Sequence, residues 1–362
     1  MAKLAALRWA PTATDCGDPP RFAAFGAGDV IPVGDDLVYW DAWPLLDIDG
    51  SLHDDNGRQL WFALAAPRGG DPDARHDQAR IHLLHHHGDR FEPRGPAMPD
   101  GLSPGSREWS GSASYSARTG KISLLFTAAG RRGEAPSFEQ RLFRTKATLT
   151  DGALSDWSPP HELLAADDVT YRRADQATGS IGMIKAFRDP DIFRDPATGR
   201  KWLLFTASSA ARPGDHDGVI GLARIERDFA ISAEQPLVEA TGFNNELERP
   251  HIRLFGGRYY LFWSTQAQVF AGGVGDWPTG LYGAVADRID GPWRLINGTG
   301  IVAANPAEEP TQAYSWLVLP DASVTSFVDH WGQATGASQF GGTFAPFEKL
   351  ILDGDAARLA TR

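Results

Sequence analysis

Apolar residues along this chain fall mostly into short runs with the pattern of strands, and long stretches of 3.6-residue periodicity are scarce. Five runs share one form: GRQLWFALAA (57–66), GKISLLFTAA (120–129), GRKWLLFTAS (199–208), GGRYYLFWST (256–265) and DASVTSFVDH (321–330). Each opens on one or two turn residues and continues as a strand centred on a phenylalanine, namely Phe62, Phe126, Phe205, Phe262 and Phe327. The intervals between them are 64, 79, 57 and 65 residues. A unit of that size holds about four short strands with their turns. Such a unit cannot bury a core alone, but five packed around an axis can. The pattern therefore predicts an all-β protein, a five-bladed β-propeller with four-stranded antiparallel blades. It predicts a single domain over 1–362, with 1–30 as an N-terminal extension packed on it and no separate C-terminal domain. A β-sandwich is the alternative, but its seven to nine strands would leave much of the length unexplained.

A second pattern precedes each of these strands. YWDAWPLLDIDGSLHDDNG, EWSGSASYSARTG, FRDPDIFRDPATG, ELERPHIRLFGG and AYSWLVLPD all run from a polar residue through a short strand to a turn. The first strand of a propeller blade lies beside the central channel. The polar residues Asp41, Ser110, Asp189, Glu248 and Tyr314 are therefore expected at equivalent positions around the mouth of a central funnel. Three carboxylates from three blades would then share one pocket. Retaining glycoside cleavage needs two carboxyl groups about 5 Å apart, one attacking the anomeric carbon and one serving as acid and then base. A third can hold sugar hydroxyls, and crowding raises the proton affinity the acid needs. The alternative is that the three are solvated strand ends. FRDP occurs twice, at 187–190 and 193–196. The first copy begins the strand; in the second, Asp195 opens a turn roughly 20 Å further along.

Composition narrows the partners. A net charge of −11 argues against a nucleic-acid backbone or an anionic membrane. Aromatic residues are 10% of the chain, which suits a sugar-binding cleft, although most are expected in the core. The single cysteine, Cys16, cannot form an intrachain disulfide. MAKLAALRWAPTATD lacks the apolar core of a signal peptide, and no run approaches a membrane span. The expectation is a soluble, cytoplasmic protein, with signal-independent export left open. His85 and His87 have the i, i+2 spacing of a metal pair on a strand, but a strand end running into a Gly-Asp turn is the preferred reading. The DIDG at 47–50 is too short for a calcium loop and reads as a turn, as does Asn297-Gly298-Thr299. Asp35 and Asp36 are expected to be solvated.

VYWDAWPLLDIDG, EWSGS, FRDPDIF, ELERPHI, QAYSW and FGGTFAP, in this order from about residue 38 to 347, resemble the successive motifs of glycoside hydrolase family 68. That family contains levansucrases, inulosucrases and β-fructofuranosidases acting on sucrose. The WMNDPNG-like nucleophile motif of the related family 32 invertases is missing. The resemblance implies Asp41 as nucleophile, Glu248 as general acid/base and Asp189 as the transition-state stabiliser gripping fructosyl hydroxyls. It implies Trp40 and Trp109 as pocket walls, Ser110 as the hydroxyl beside the nucleophile, Arg188 and Glu246 as a polar clamp, and Tyr314 as a tyrosine near the carboxylates.

Three positions depart from the family pattern. Gln266 stands where an Arg or His commonly contacts the glucosyl or acceptor sugar. Trp316 replaces the histidine of a YSH motif. Asn245 replaces an Asp that helps some relatives hold calcium, so no metal is expected, and no cofactor is implied. The implied function is a retaining β-fructosyl enzyme cleaving sucrose or related fructosides. It would pass fructose to water, or to sugar acceptors as short fructo-oligosaccharides. The alternatives are a levansucrase or inulosucrase making polymer, a glycosidase for another furanoside such as an arabinan, and a non-catalytic sugar-binding propeller.

Overall fold

The computed structural model describes residues 6–10, 16–88, 90–176, 182–226 and 230–361. Most of the N-terminal stretch read for a signal peptide, 1–5 and 11–15, lies outside the described residues, as does Asp89 of the expected Gly-Asp turn. The helical pieces among the described residues are short 3-10 turns, and no helix is long and apolar enough to cross a membrane. The strands among the described residues form four sheets.

The nine-stranded sheet consists of two antiparallel stacks. One orders Leu37–Asp47, Gln59–Pro67, Arg80–His87 and Arg90–Pro96; the other orders Arg107–Ser116, Lys121–Ala129 and Gln140–Thr150, with Ala153–Ser155 and His161–Leu164 outermost. They join where Leu45–Asp47 runs parallel to Ala113–Tyr115. The six-stranded sheet builds outward from Phe187–Arg194 through Lys201–Ser208 and Gly218–Ile225, and Leu7–Arg8 adds to its edge in parallel with Val238–Glu239. The two five-stranded sheets build outward from Glu248–Phe255 and from Ala313–Val318. Every motif strand is thus the first of its stack and every phenylalanine strand the second. The first strands touch one another in chain order, and Ala313–Val318 touches Leu37–Asp47 again.

The stacks pack face to face through the phenylalanines. Phe62, Phe126, Phe205 and Phe262 are fully buried, and Phe327 nearly so. Phe205 is also tightly packed within its own stack: it pairs with Gly221 on the next strand, where a Cβ would come within 2.3 Å of the ring. Trp9, carried by the N-terminal strand, packs edge-on against Phe243 and Trp263 and donates its indole N–H to the Thr299 carbonyl.

Each first strand breaks register with its neighbour at the same place. Pairing stops after Trp40, Trp109, Arg188, Glu248 and Tyr314, and resumes at Trp43, Gly111, Asp191, His251 and Leu317. The residues inside these bulges include Asp41, Asp189, Arg249 and Ser315, with φ of 50°, 59°, 51° and 63°. This corrects the expected equivalence of five polar positions. Asp41, Ser110 and Asp189 lie within their bulges, whereas Glu248 and Tyr314 stand one residue before theirs. Arg249 and Ser315 are the true counterparts of Asp41. A bulge puts two successive residues where a regular strand would put one, so polarity alone could not assign the offset.

The smaller readings follow the backbone. Asp195 caps the turn after its strand: its carboxylate accepts from the Ala197 N–H at 3.0 Å, the Tyr259 hydroxyl at 2.6 Å and the Thr198 hydroxyl, and Gly199 closes the turn at φ 69°. The Gly50 N–H closes the DIDG turn on the Asp47 carbonyl. Asn297 sits in a short 3-10 turn at φ 53°. Asp35 and Asp36 are exposed. Substituting Gly221→Ala is expected to cost about 1–3 kcal/mol through overpacking against Phe205. A urea midpoint equal to that of the parent protein would contradict this packing.

Candidate active site

A cavity of about 1010 Å³ opens where the first strands converge, and all ten candidate residues line it: Trp40, Asp41, Trp109, Ser110, Arg188, Asp189, Glu246, Glu248, Gln266 and Tyr314. Asp195 is not among the lining residues.

The three carboxylates are held differently. Asp189 accepts from the Ser110 hydroxyl at 2.6 Å on one oxygen, and from the Thr206 hydroxyl at 2.9 Å and the Arg249 backbone N–H at 3.2 Å on the other. Its own N–H donates to the Thr127 hydroxyl. Donors from three stacks therefore immobilise it. Glu248 is gripped on Oε1 by Arg188, whose Nη2 and Nε lie at 2.5 and 3.2 Å, and on Oε2 by the Tyr314 hydroxyl. Arg188 also pairs with Glu246 at 3.2 Å. The Ser315 hydroxyl and the Arg249 charge stand near Asp41, and both favour its ionised form. The Arg249 guanidinium donates to the Ala42 carbonyl at 2.6 Å, the Ser315 carbonyl at 3.0 Å and the Ser315 hydroxyl oxygen at 2.8 Å.

These surroundings set the charges. Burial pushes Asp41 up to about 6; Arg249 and the Ser315 hydroxyl oppose that shift, and Asp189 and Glu248 add to it. Burial raises Glu246 to about 7, with Arg188 opposing and Glu248 reinforcing. Burial alone would weaken the hold of Arg188 on its proton, but Glu248, Glu246 and Asp189 together keep it above the ordinary guanidinium range. Burial and the neighbouring Glu248 hold the Tyr314 hydroxyl protonated, well above the ordinary tyrosine value. The pocket thus combines crowded carboxylates, the guanidinium groups of Arg188, Arg249 and Arg75, and a protonated phenol.

Sequence patterns missed one wall. The 3-10 turn Pro72–Asp77 brings Asp73, Arg75, His76 and Asp77 to the cavity. The Arg75 guanidinium lies over Trp40, Phe327 and Phe340 at 5.6, 5.3 and 5.2 Å from the ring centroids. His76 meets Trp40 edge-on, and its carbonyl accepts from the Trp109 indole at 3.3 Å. Burial, with Arg75, Arg188 and Arg107 nearby, drops His76 to about 3, so its ring is neutral. The only signal in the sequence was a stretch rich in Gly, Pro and Asp, which reads as a loop. Arg249 and Ser315 were missed because the bulge is invisible in the string. Close to Arg75, on the strand that carries Phe327, stand Asp329 and His330, whose side chains lie 3.0 Å apart.

The three departing positions also have places. Gln266 lines the cavity and bonds Gln268. Trp316 is buried, stacked on Phe22. Asn245 accepts at 3.0 Å from the buried Lys185 ammonium, which also donates to Asp217 at 2.9 Å and to the Gly214 and Asp215 carbonyls. A cation of the chain's own therefore occupies the oxygens beside Asn245. Among the described residues one group of side chains has the spacing of a metal site, His85, His87 and Glu92, and it lies away from the cavity.

The family model described as Levansucrase/Invertase matches residues 27–219 and 215–361. A levansucrase of Zymomonas mobilis is 32% identical, covering 87% of this chain and 80% of its own length. A levansucrase of Rahnella aquatilis is 29% identical over 93% of this chain and 89% of its own. Among solved structures, an inulosucrase from Halalkalicoccus jeotgali bound to kestose superposes with a TM-score of 0.86 at 32% identity, over 98% of this chain and 95% of that one. A levansucrase from Gluconacetobacter diazotrophicus shares the fold, with a TM-score of 0.82 at 23% identity, over 98% and 90% of the two chains.

The raised value at Asp41 has a stability consequence. A carboxyl whose folded value, about 6, exceeds its unfolded value near 3.8 stabilises the fold fully below the lower number and loses that contribution as pH rises through the upper one. Asp41→Asn keeps a residue tolerant of positive φ and removes the buried charge. It is expected to be more stable than the parent by roughly 1–3 kcal/mol at pH 8, with the difference fading towards pH 4. Thermal unfolding at the two pH values tests this, and a destabilised variant at pH 8 would contradict it.

Proposed function

The chain belongs to glycoside hydrolase family 68, and from that premise we propose that it is a retaining β-fructosyl enzyme that cleaves sucrose through a covalent intermediate on Asp41. The observation that carries this reading is the meeting of Asp41, Asp189 and Glu248 in one cavity, each with a different set of partners. We also read the fold as a closed five-bladed β-propeller with the cavity at its axis. The cyclic contact of the five first strands supports that.

The steps follow from the partners. Asp41 attacks the anomeric C2 of the fructosyl unit as an ionised carboxylate, and Arg249 with Ser315 favours that form. Glu248 protonates the glycosidic oxygen, and glucose leaves. The Glu246–Arg188–Glu248 cluster is suited to this task because Glu246, raised to about 7, keeps a proton in the cluster near neutrality. Asp189, immobilised by Ser110, Thr206 and the Arg249 N–H, presents its remaining lone pair, on the oxygen bonded by Ser110, to a fructosyl hydroxyl as charge develops on the ring. Trp40 and Trp109 supply faces that exclude water. Glu248 then returns as base for the incoming water or sugar hydroxyl.

Both fates share one intermediate. The relatives named levansucrase and inulosucrase favour transfer, including growth of a fructan. The neutral Gln266 on the cavity wall favours hydrolysis and short products, because an amide grips an acceptor less firmly than a cation does. Size-resolved products from concentrated sucrose separate these readings, and abundant high-mass fructan would reject the second.

Asp41→Asn and Glu248→Gln are each expected to lower kcat for fructose release by at least about 10³-fold with the fold intact. Parent-like rates would reject the assignment in favour of a sugar-binding module, and preference for arabino-oligosaccharides over sucrose would reject the substrate. The acid limb of kcat/KM is expected near pH 6, set by ionisation of Asp41. Ser315→Ala removes a hydroxyl that favours the ionised form, so the limb should move to higher pH. A limb that stays put or moves down would show that Asp41 does not set it.

A further inference from the structure

The hairpin of Arg80–His87 and Arg90–Pro96 carries chemistry that the cavity does not use. Its register sets His85 opposite Glu92 and His87 opposite Arg90. Residues two apart on a strand share a face, as do directly opposed cross-strand residues. His85, His87 and Glu92 therefore project together, and one ligand atom from each lies within 4.8 Å of the others. His85 is buried, while His87 and Glu92 are exposed. Ligand atoms around a tetrahedral zinc ion sit about 3.3 Å apart, so closing on a metal asks only for rotation of the two exposed side chains.

His85 is already oriented for the purpose. Its Nε2 lies 3.0 Å from the Gly152 carbonyl. Donating there leaves the Nδ1 lone pair free, and such a bond to a backbone carbonyl is the usual partner of a metal-bound imidazole. Gly152, at φ 76°, passes so close that a Cβ would lie 2.9 Å from the His85 ring. That turn joins Gln140–Thr150 to Ala153–Ser155 in the second stack. The competing bond is weak: Glu92 pairs with Arg94 at 3.0 Å, and both side chains are about half exposed.

We propose that His85, His87 and Glu92 bind a divalent transition-metal ion of the zinc class, which ties the outer hairpin of the first stack to the Asp151–Gly152 turn of the second. Two imidazoles and one carboxylate suit zinc, nickel, cobalt or copper, whereas magnesium and calcium prefer all-oxygen sites. The site is independent of the fructosyl reading, since none of the three residues lines the cavity.

The test is calorimetric titration of zinc chloride into the full-length, tag-free, chelator-treated protein, with thermal unfolding alongside. One saturable site with a Kd on the order of micromolar is expected, with a zinc-dependent rise in Tm. His87→Ala and Glu92→Gln, both surface changes, should each weaken binding at least tenfold and abolish the rise in Tm, with sucrose cleavage unchanged. Calcium or magnesium should produce neither effect. Absence of saturable zinc binding would overturn the proposal, as would a site whose affinity neither variant alters. Both readouts stand whether or not the protein cleaves sucrose.

Discussion

Where Leu37–Asp47 runs beside Gln59–Pro67, pairing stops at Trp40 and resumes at Trp43, and the same interruption recurs in the four other first strands. A regular strand would alternate its side chains between two faces, and consecutive residues could not both reach the cavity. The bulge lets Trp40 and Asp41, Trp109 and Ser110, Arg188 and Asp189, and Glu248 and Arg249 line one cavity as adjacent pairs. The cost is a left-handed backbone at Asp41, Asp189, Arg249 and Ser315, about 1–2 kcal/mol at each. Aspartate tolerates that conformation better than most residues. Arg249 is held in it by three hydrogen bonds from its guanidinium, and Ser315 accepts two of them.

The same geometry solves an electrostatic problem. Crowded carboxylates repel one another and lose water, and both effects favour protonation. Groups from other stacks stand against each: the charge of Arg249 and the Ser315 hydroxyl near Asp41, the Ser110 and Thr206 hydroxyls bonded to Asp189, and Arg188 and Tyr314 bonded to Glu248. Burial outweighs the opposing charges at Asp41 and Glu246, whose values stay near 6 and 7. Raised values of this kind suit acid–base work near neutral pH. The positions that strain the backbone and those that strain the charge balance are therefore neighbours in the chain.

Much of this was legible in the string because it is local. The turn-then-apolar pattern around Phe62, Phe126, Phe205, Phe262 and Phe327 located the second strand of every stack, since a buried second strand demands it. The motif strings drew nine residues into one cavity, and the position four after Phe262 added Gln266. The one-residue offset at Glu248 and Tyr314 was not legible, because a bulge depends on pairing with the next strand and leaves no mark on polarity. Nor was the wall at Pro72–Asp77: its place depends on Arg75 docking over Trp40, Phe327 and Phe340, the latter two more than 250 residues away in sequence. His85 and His87 were visible as a pair, but Glu92 joins them only through the hairpin register.

The central claim is that Asp41, in the bulge that Arg249 braces through the Ala42 carbonyl, forms the bond to the sugar. Acid quenching of the parent protein during sucrose turnover, followed by peptide mass analysis, addresses it directly. The account predicts one anhydrohexose unit on the peptide containing Asp41, localised to that residue and absent from Asp41→Asn. An adduct on Asp189 or Glu248, or steady turnover of sucrose by Asp41→Asn, would contradict it.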